Sequence, residues 1–254
     1  MLALLYGIVC YVAFFVVFLY AIGFVSNVGV PHAIDSAPAG SWPVSLAIDL
    51  VLLTLFAVQH SVMARPAFKR RWTRIVPPVV ERSTFVLAAS AALALLFWQW
   101  RPLGGVVWDM TPPLLRMAAY AISAAGWLMV LASTLLIDHL HLFGLRQVWD
   151  YWRGAAPRTE RFVTPGFYRY VRHPLYLGFL LAFWAAPTMT ITHLVFAVAT
   201  TGYILVAIQL EERDLTDTHA EYAAYRQRVP MLVPRPQAGR RTAASSGERA
   251  TAVR

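Results

Sequence analysis

Charge is scarce in this chain. Only 14% of its 254 residues are Asp, Glu, Lys or Arg, whereas a soluble domain carries about a quarter, and 58% are hydrophobic. That excludes a water-soluble globular domain. Cysteine is nearly missing too: Cys10 stands alone within the first apolar run. Intramolecular disulfides and cysteine-ligated metals are therefore excluded, and Cys10 reads better as a buried structural thiol than as a nucleophile. There is no HExxH pattern, so no metal is expected. The first apolar run has neither a basic leader nor a small-residue cleavage site, so it reads as a retained span, not a signal peptide. Internal repeats are absent. The net charge of +9 sits in no soluble basic domain, which excludes nucleic acid as a partner.

What is abundant is long apolar sequence. A span needs about 20 apolar residues, and six segments qualify or nearly so: 2–25, 43–64, 84–100, 114–137, 174–188 and 191–210. The fold expected is all-α, a polytopic membrane protein of about six transmembrane helices in one domain, 1–236. The fifth segment is short, and 186–190 reads as a tight turn that folds the last two into a helical hairpin. Twenty of the 22 basic residues lie between segments two and three, between four and five, or after six. The positive-inside rule puts those regions and both termini in the cytoplasm, with the bilayer and its anionic lipids as partner. The Arg-, Ala- and Ser-rich stretch 237–254 reads as a disordered basic tail.

Polar residues near a bilayer core are functional candidates by default. Asp49 lies near the outer end of segment two, to snorkel or to pair with a backbone or amide group. His60, Ser61 and Arg65 lie near its inner end, with Ser61 and Arg65 on one face. His60 is either functional or a satisfied helix–helix hydrogen-bonder. Segment four ends in IDHLHLFGLRQVW (137–149). There Asp138 and His141 share a face and form either an oriented base or a helix-end group paired with an arginine. Arg146 and Gln147 follow at the interface.

The strongest marks lie on the last two segments. GFYRYVRHPLYLG (166–178) places Arg172 and His173 before Pro174, which suits the first turn of a helix. The positive end of that helix, with Arg172 or His173, suits a carboxylate. Tyr168 and Tyr176 offer phenols and π faces to a cation. Segment six is read as ending in Glu211 and Glu212. One of them is expected to pair with Arg172 or Arg169, the other to receive an ammonium. Residues 229–234 are expected to fold back as a lid. A cationic and an anionic knot at one membrane face suit a zwitterionic ligand.

RHPLYLG (172–178), the hairpin, EERDL (211–215) and YAAYRQRVPMLVP (222–234) together resemble the C-terminal signature of the isoprenylcysteine carboxyl methyltransferase superfamily, over 164–234. The resemblance implies S-adenosylmethionine as methyl donor, with His173, Tyr176 and Gly178 in contact with it and Glu211 and Glu212 closing the pocket. FAVQHSVMARPAFK (56–69), PPVVERSTFV (77–86), HLFGLRQVW (141–149) and FWAAPTMT (183–190) extend the match over most of the chain, and there it resembles the bacterial methanethiol S-methyltransferases. That implies a bacterial inner-membrane enzyme that makes dimethyl sulfide from methanethiol and also methylates hydrogen sulfide.

The chemistry is an in-line displacement that needs aligned atoms and a thiolate. His60 or Asp138–His141 is expected to take the thiol proton. Arg65 or Arg146 is expected to favour the thiolate, and Ser61, Arg65 and Gln147 to line the substrate pocket. Three alternatives compete. One is a methyltransferase for a prenyl-cysteine carboxylate or a phospholipid amine. Another is an NADPH-dependent sterol-type reductase. The third is a haem-binding or transport subunit of the NnrU type, with His60 and His139 or His141 as axial ligands.

Overall fold

The computed structural model describes residues 1–38, 40–156 and 162–234. Arg158, Arg161 and the basic tail 237–254 lie outside the described residues.

Among the described residues, five helices are long and apolar enough to cross a membrane: α1 (Leu2–Ser26), α2 (Trp42–Ala64), α4 (Pro78–Gln99), α5 (Pro113–Ile137) and α9 (Ile191–Thr218). Between them lie α3 (Pro66–Trp72), α6 (His139–Leu142), α7 (Leu145–Trp152) and α8 (Pro174–Trp184), and α10 (Tyr222–Arg228) closes the described chain. Proline occupies the first turn of α2, α4, α5 and α8, where its missing N–H costs nothing. Helix α1 stops at Asn27, which adopts a left-handed φ of 58° and returns its N–H to Gly23. The outward faces stay apolar. Leu5, Val12, Val16 and Leu19 of α1 are all exposed, as lipid-facing side chains must be. The chain is an integral membrane protein.

The fifth segment is shorter than its apolar run suggests. With 11 residues, α8 is about 16 Å long. It packs most extensively on α5, not on α9 as a simple hairpin would. Gly126 and Gly178 make that approach possible: a Cβ on Gly178 would lie 2.7 Å from the Gly126 carbonyl oxygen. The structure thus gives Gly178, expected at the cofactor, a place in the α5–α8 contact. The residues after α8 form no tight turn. Thr188–Thr190 is a strand, β2, paired antiparallel with β1 (Val106–Asp109). Helix α9 does not end at the acidic pair either. It runs 28 residues, about 42 Å, and Glu211 and Glu212 lie about 30 Å from its start. That distance matches the hydrocarbon thickness, so the acidic pair marks the membrane surface and the helix continues past it.

The bundle is sealed at the end where α9 begins, called the outer end, and the opposite one the inner end, after the positive-inside expectation. Phe24, Phe97, Trp100, Phe183 and Phe196 pack ring against ring, at centroid distances of 4.7 Å (Phe24–Phe97) and 5.0 Å (Phe183–Phe196). Above them Asp35 accepts from Asn27 Nδ2 (2.7 Å) and from the Thr190 hydroxyl, and lies 3.6 Å from His193 Nδ1. These partners hold its carboxyl below the ordinary range even though burial pushes the other way. Asp49 is fully buried and accepts on one oxygen from the Arg101 backbone N–H (2.9 Å), one of the two readings open for it, while its Oδ2 has no hydrogen-bond partner.

Candidate functional site at the inner end

Pro174 starts α8, and the two residues before it are held by the chain that returns after α10. Arg172 N–H donates to the Pro230 carbonyl (2.9 Å) and His173 N–H to Met231 (3.2 Å). Arg172 Nη1 also reaches the carbonyls of Val229 (2.6 Å) and Arg226 (3.1 Å). Residues 229–231 therefore lie across the start of α8, as a lid would.

Beneath this strap sits Glu212, only 3% exposed. It takes Arg172 Nε (2.7 Å) and His173 Nε2 (3.0 Å) on one oxygen and Arg226 Nε (3.2 Å) on the other. A buried carboxylate alone would be strongly destabilising, and three partners offset that. The pairing of one glutamate with Arg172 is as expected. Arg172 and His173, read as partners for a ligand carboxylate, are engaged by Glu212 and by the strap.

Glu211 differs. One of its oxygens accepts from the Tyr176 hydroxyl (3.0 Å) and lies 4.0 Å from His173 Nδ1. Its side chain is 42% exposed, and among the described residues no hydrogen bond reaches its second oxygen. That oxygen suits an ammonium. A matching cationic surface lies close by: Arg226, half exposed, with Gln227, Arg228 and Met231, lines a groove along the strap. Three phenols surround the acidic pair. Burial and the Glu211 charge push the Tyr168 phenol up. Burial and Glu212 do the same for Tyr222, and burial raises Tyr225 to about 12 against the pull of Arg172. All three remain neutral donors at physiological pH. Tyr225 donates to the Tyr168 carbonyl (2.6 Å), tying α10 to the turn at Gly166–Arg169.

A second group faces this pole from α2. The His60 ring stacks on Phe56 (5.4 Å, 29°) and lies 5.0 Å from Phe85 of α4, and its Nδ1 is buried without a hydrogen-bond partner. Arg82 sits over the Phe85 ring at 5.0 Å, so a cation borders the His60 wall. Arg65 pairs with Asp214 of α9 (2.9 Å) and donates from Nε to the Ser61 carbonyl. The Tyr203 phenol of α9 lies beside Ser61.

The remaining candidates gather elsewhere. Helix α5 breaks at Asp138, which caps α6 by accepting the His141 backbone N–H (3.1 Å) and pairs with Arg146 (2.9 Å). Of the two readings of Asp138, the helix-end group paired with an arginine is the one observed. Its hydrogen bond from His141 comes from the backbone N–H. Gln147 donates to the His141 carbonyl (3.0 Å). Asp138, Arg146 and Gln147 thus stabilise the α5–α6–α7 bend instead of meeting His60. His139 is satisfied on both ring nitrogens, by Tyr11 and Thr134, which removes it as an axial ligand. Sequence reasoning missed Tyr203, Arg226 and Arg82. For Tyr203 the available signal was its spacing of eleven residues from Asp214, three helical turns on the same face.

A family model described as a protein of unknown function, DUF1295, matches residues 83–229. The chain is 54% identical to the methanethiol S-methyltransferase of Mycobacterium tuberculosis over 236 residues, 92% of this chain and 97% of that one. It is 52% identical to the methanethiol S-methyltransferase of Crocosphaera subtropica over 232 residues, 91% of each. Nurim of Rattus norvegicus is 33% identical over 77% of this chain and 76% of its own. No solved structure matches.

Proposed function

We propose that this chain, which belongs to the methanethiol S-methyltransferase family, transfers a methyl group from S-adenosylmethionine to methanethiol and releases dimethyl sulfide at the cytoplasmic face of a bacterial inner membrane. The observation that carries this reading is the division of labour in the acidic pair. Glu212 is saturated by protein cations, whereas Glu211 keeps an oxygen for a ligand ammonium.

The residues fit the donor. Its ammonium suits Glu211, its carboxylate suits the Arg226–Arg228 groove, and its sulfonium suits the π faces of Tyr176 and Tyr168. When bound, S-adenosylmethionine supplies an electrophilic methyl on a positively charged sulfur. The protein supplies geometry and a proton acceptor. The His60 Nδ1, buried and unpartnered, takes the thiol proton, a role worth about 10²- to 10⁴-fold. Arg65 and Arg82 favour the thiolate that remains. Its sulfur then bonds the methyl carbon as the old carbon–sulfur bond breaks. Methanethiol offers no polar handle beyond that sulfur, so Phe56 and Phe85 must select it by size. The positive-inside bias supports the orientation, because Arg172, Arg226 and most other basic residues lie at this end.

The test is headspace gas chromatography of membranes containing the protein, given methanethiol and S-adenosylmethionine. Dimethyl sulfide is expected well above an empty-membrane control. Its absence would overturn the assignment.

A further inference from the structure

Tyr203 takes no part in the chemistry above, yet it contacts both halves of the site. Its ring meets Phe56 edge-on (6.1 Å, 73°), and Phe56 stacks on His60. Its phenol lies beside Ser61 and near Arg65, Glu211 and Tyr176. Along α9 it lies eight residues before Glu211, about 12 Å deeper into the bilayer. The α9 residues in contact with α2 include Tyr203, against Phe56, and Asp214, paired with Arg65. The α2–α9 seam is therefore held at two points, Tyr203–Phe56 toward the membrane centre and Arg65–Asp214 at the surface.

We infer that Tyr203 sets the acceptor length. Its ring, packed edge-on against Phe56, forms the membrane-side wall against which the alkyl group of the thiol rests, and it restricts turnover to the shortest n-alkanethiols. The inference rests on the proposed thiol methylation. Removing the ring opens the seam toward the apolar core. Each added methylene that finds such space gains about 0.8 kcal/mol of burial, close to fourfold in relative kcat/KM.

The experiment compares kcat/KM for methanethiol, ethanethiol and n-butanethiol in the wild type, Tyr203→Ala, Tyr203→Leu and Ser61→Ala. Binding of S-adenosylhomocysteine is followed by thermal shift to establish that each variant is folded. The expected result is at least a tenfold rise in the butanethiol-to-methanethiol ratio for Tyr203→Ala. Tyr203→Leu should show a smaller rise, and Ser61→Ala, which trims the residue beside the ring without removing the ring, a still smaller one in the same direction. A ratio unchanged in the variants, or a uniform loss across the three thiols, would overturn the inference. If Tyr203→Ala does not fold, Tyr203→Leu and Ser61→Ala decide by the same criterion. A wild type inactive on every thiol would instead refute the proposed function.

Discussion

The two ends of the bundle carry similar polar groups and use them differently. At the outer end Asp35 is held by Asn27, Thr190 and His193, and one oxygen of Asp49 by the backbone at Arg101, its other oxygen being unpaired but sealed in the interior. At the inner end Glu212 is well held, by Arg172, His173 and Arg226. The inner end also has a surplus: an open oxygen on Glu211, an unpartnered nitrogen on His60 and a half-exposed Arg226. Buried polar groups are normally satisfied, and exceptions call for an explanation. Asp49 shows that an unpaired atom alone marks no site; what distinguishes the inner end is that the spare oxygen of Glu211 is open to a ligand.

The comparison can be broken first at Glu212. Glu212→Ala leaves Arg172 and His173 buried without their partner and releases the strap. Losing one member of a buried pair costs about 3–5 kcal/mol, so thermal unfolding in detergent should show a large drop and dimethyl sulfide formation should fall to background. At His60 the expected effect falls on rate and spares the fold. His60→Ala should lower kcat about 10²- to 10⁴-fold at neutral pH, with recovery as pH rises toward the pKa of the free thiol. Normal turnover at both pH values would mean that alignment alone suffices. Asp138→Asn, by contrast, should change turnover severalfold at most, because Asp138 acts through the α5–α6 bend.

The outer end should respond in stability alone. Asp35→Asn removes charge-assisted hydrogen bonds worth about 1–3 kcal/mol in total, and kcat per folded molecule should not change. The sign of the pH effect follows from the lowered carboxyl. With the folded-state pKa below the unfolded value of about 3.9, the contribution is present above that value and fades as pH falls through the folded one. Melting curves on acidification should therefore slope less in Asp35→Asn than in the wild type.

Much of this arrangement is legible in the sequence. The apolar runs give the spans, Pro174 gives the start of α8, and the Arg172-His173 and Glu211-Glu212 pairs give the inner pole. What stayed hidden depends on contacts between distant segments. Thr188–Thr190 is too short for strand periodicity to register, and its partner strand begins at Val106. The break at Asp138 has a visible glycine only at Gly144, because the Asp138 side chain itself caps α6. The acidic pair looked like a helix end because apolar sequence stops there, but hydropathy reports the membrane surface while α9 continues to Thr218. Tyr203 lies in an apolar span, where only its contacts distinguish it from a lipid-facing ring.

The central claim is that the exposed spare oxygen of Glu211, not charge itself, marks the donor site. Calorimetric titration of S-adenosylhomocysteine into the wild type, Glu211→Gln and Asp35→Asn tests it most directly. Glu211→Gln keeps an acceptor for Tyr176 but loses the charge offered to the ammonium. Affinity is expected to fall about 10- to 100-fold, the equivalent of about 1.4–2.7 kcal/mol, with Asp35→Asn matching the wild type. Equal affinity in all three proteins would contradict the account.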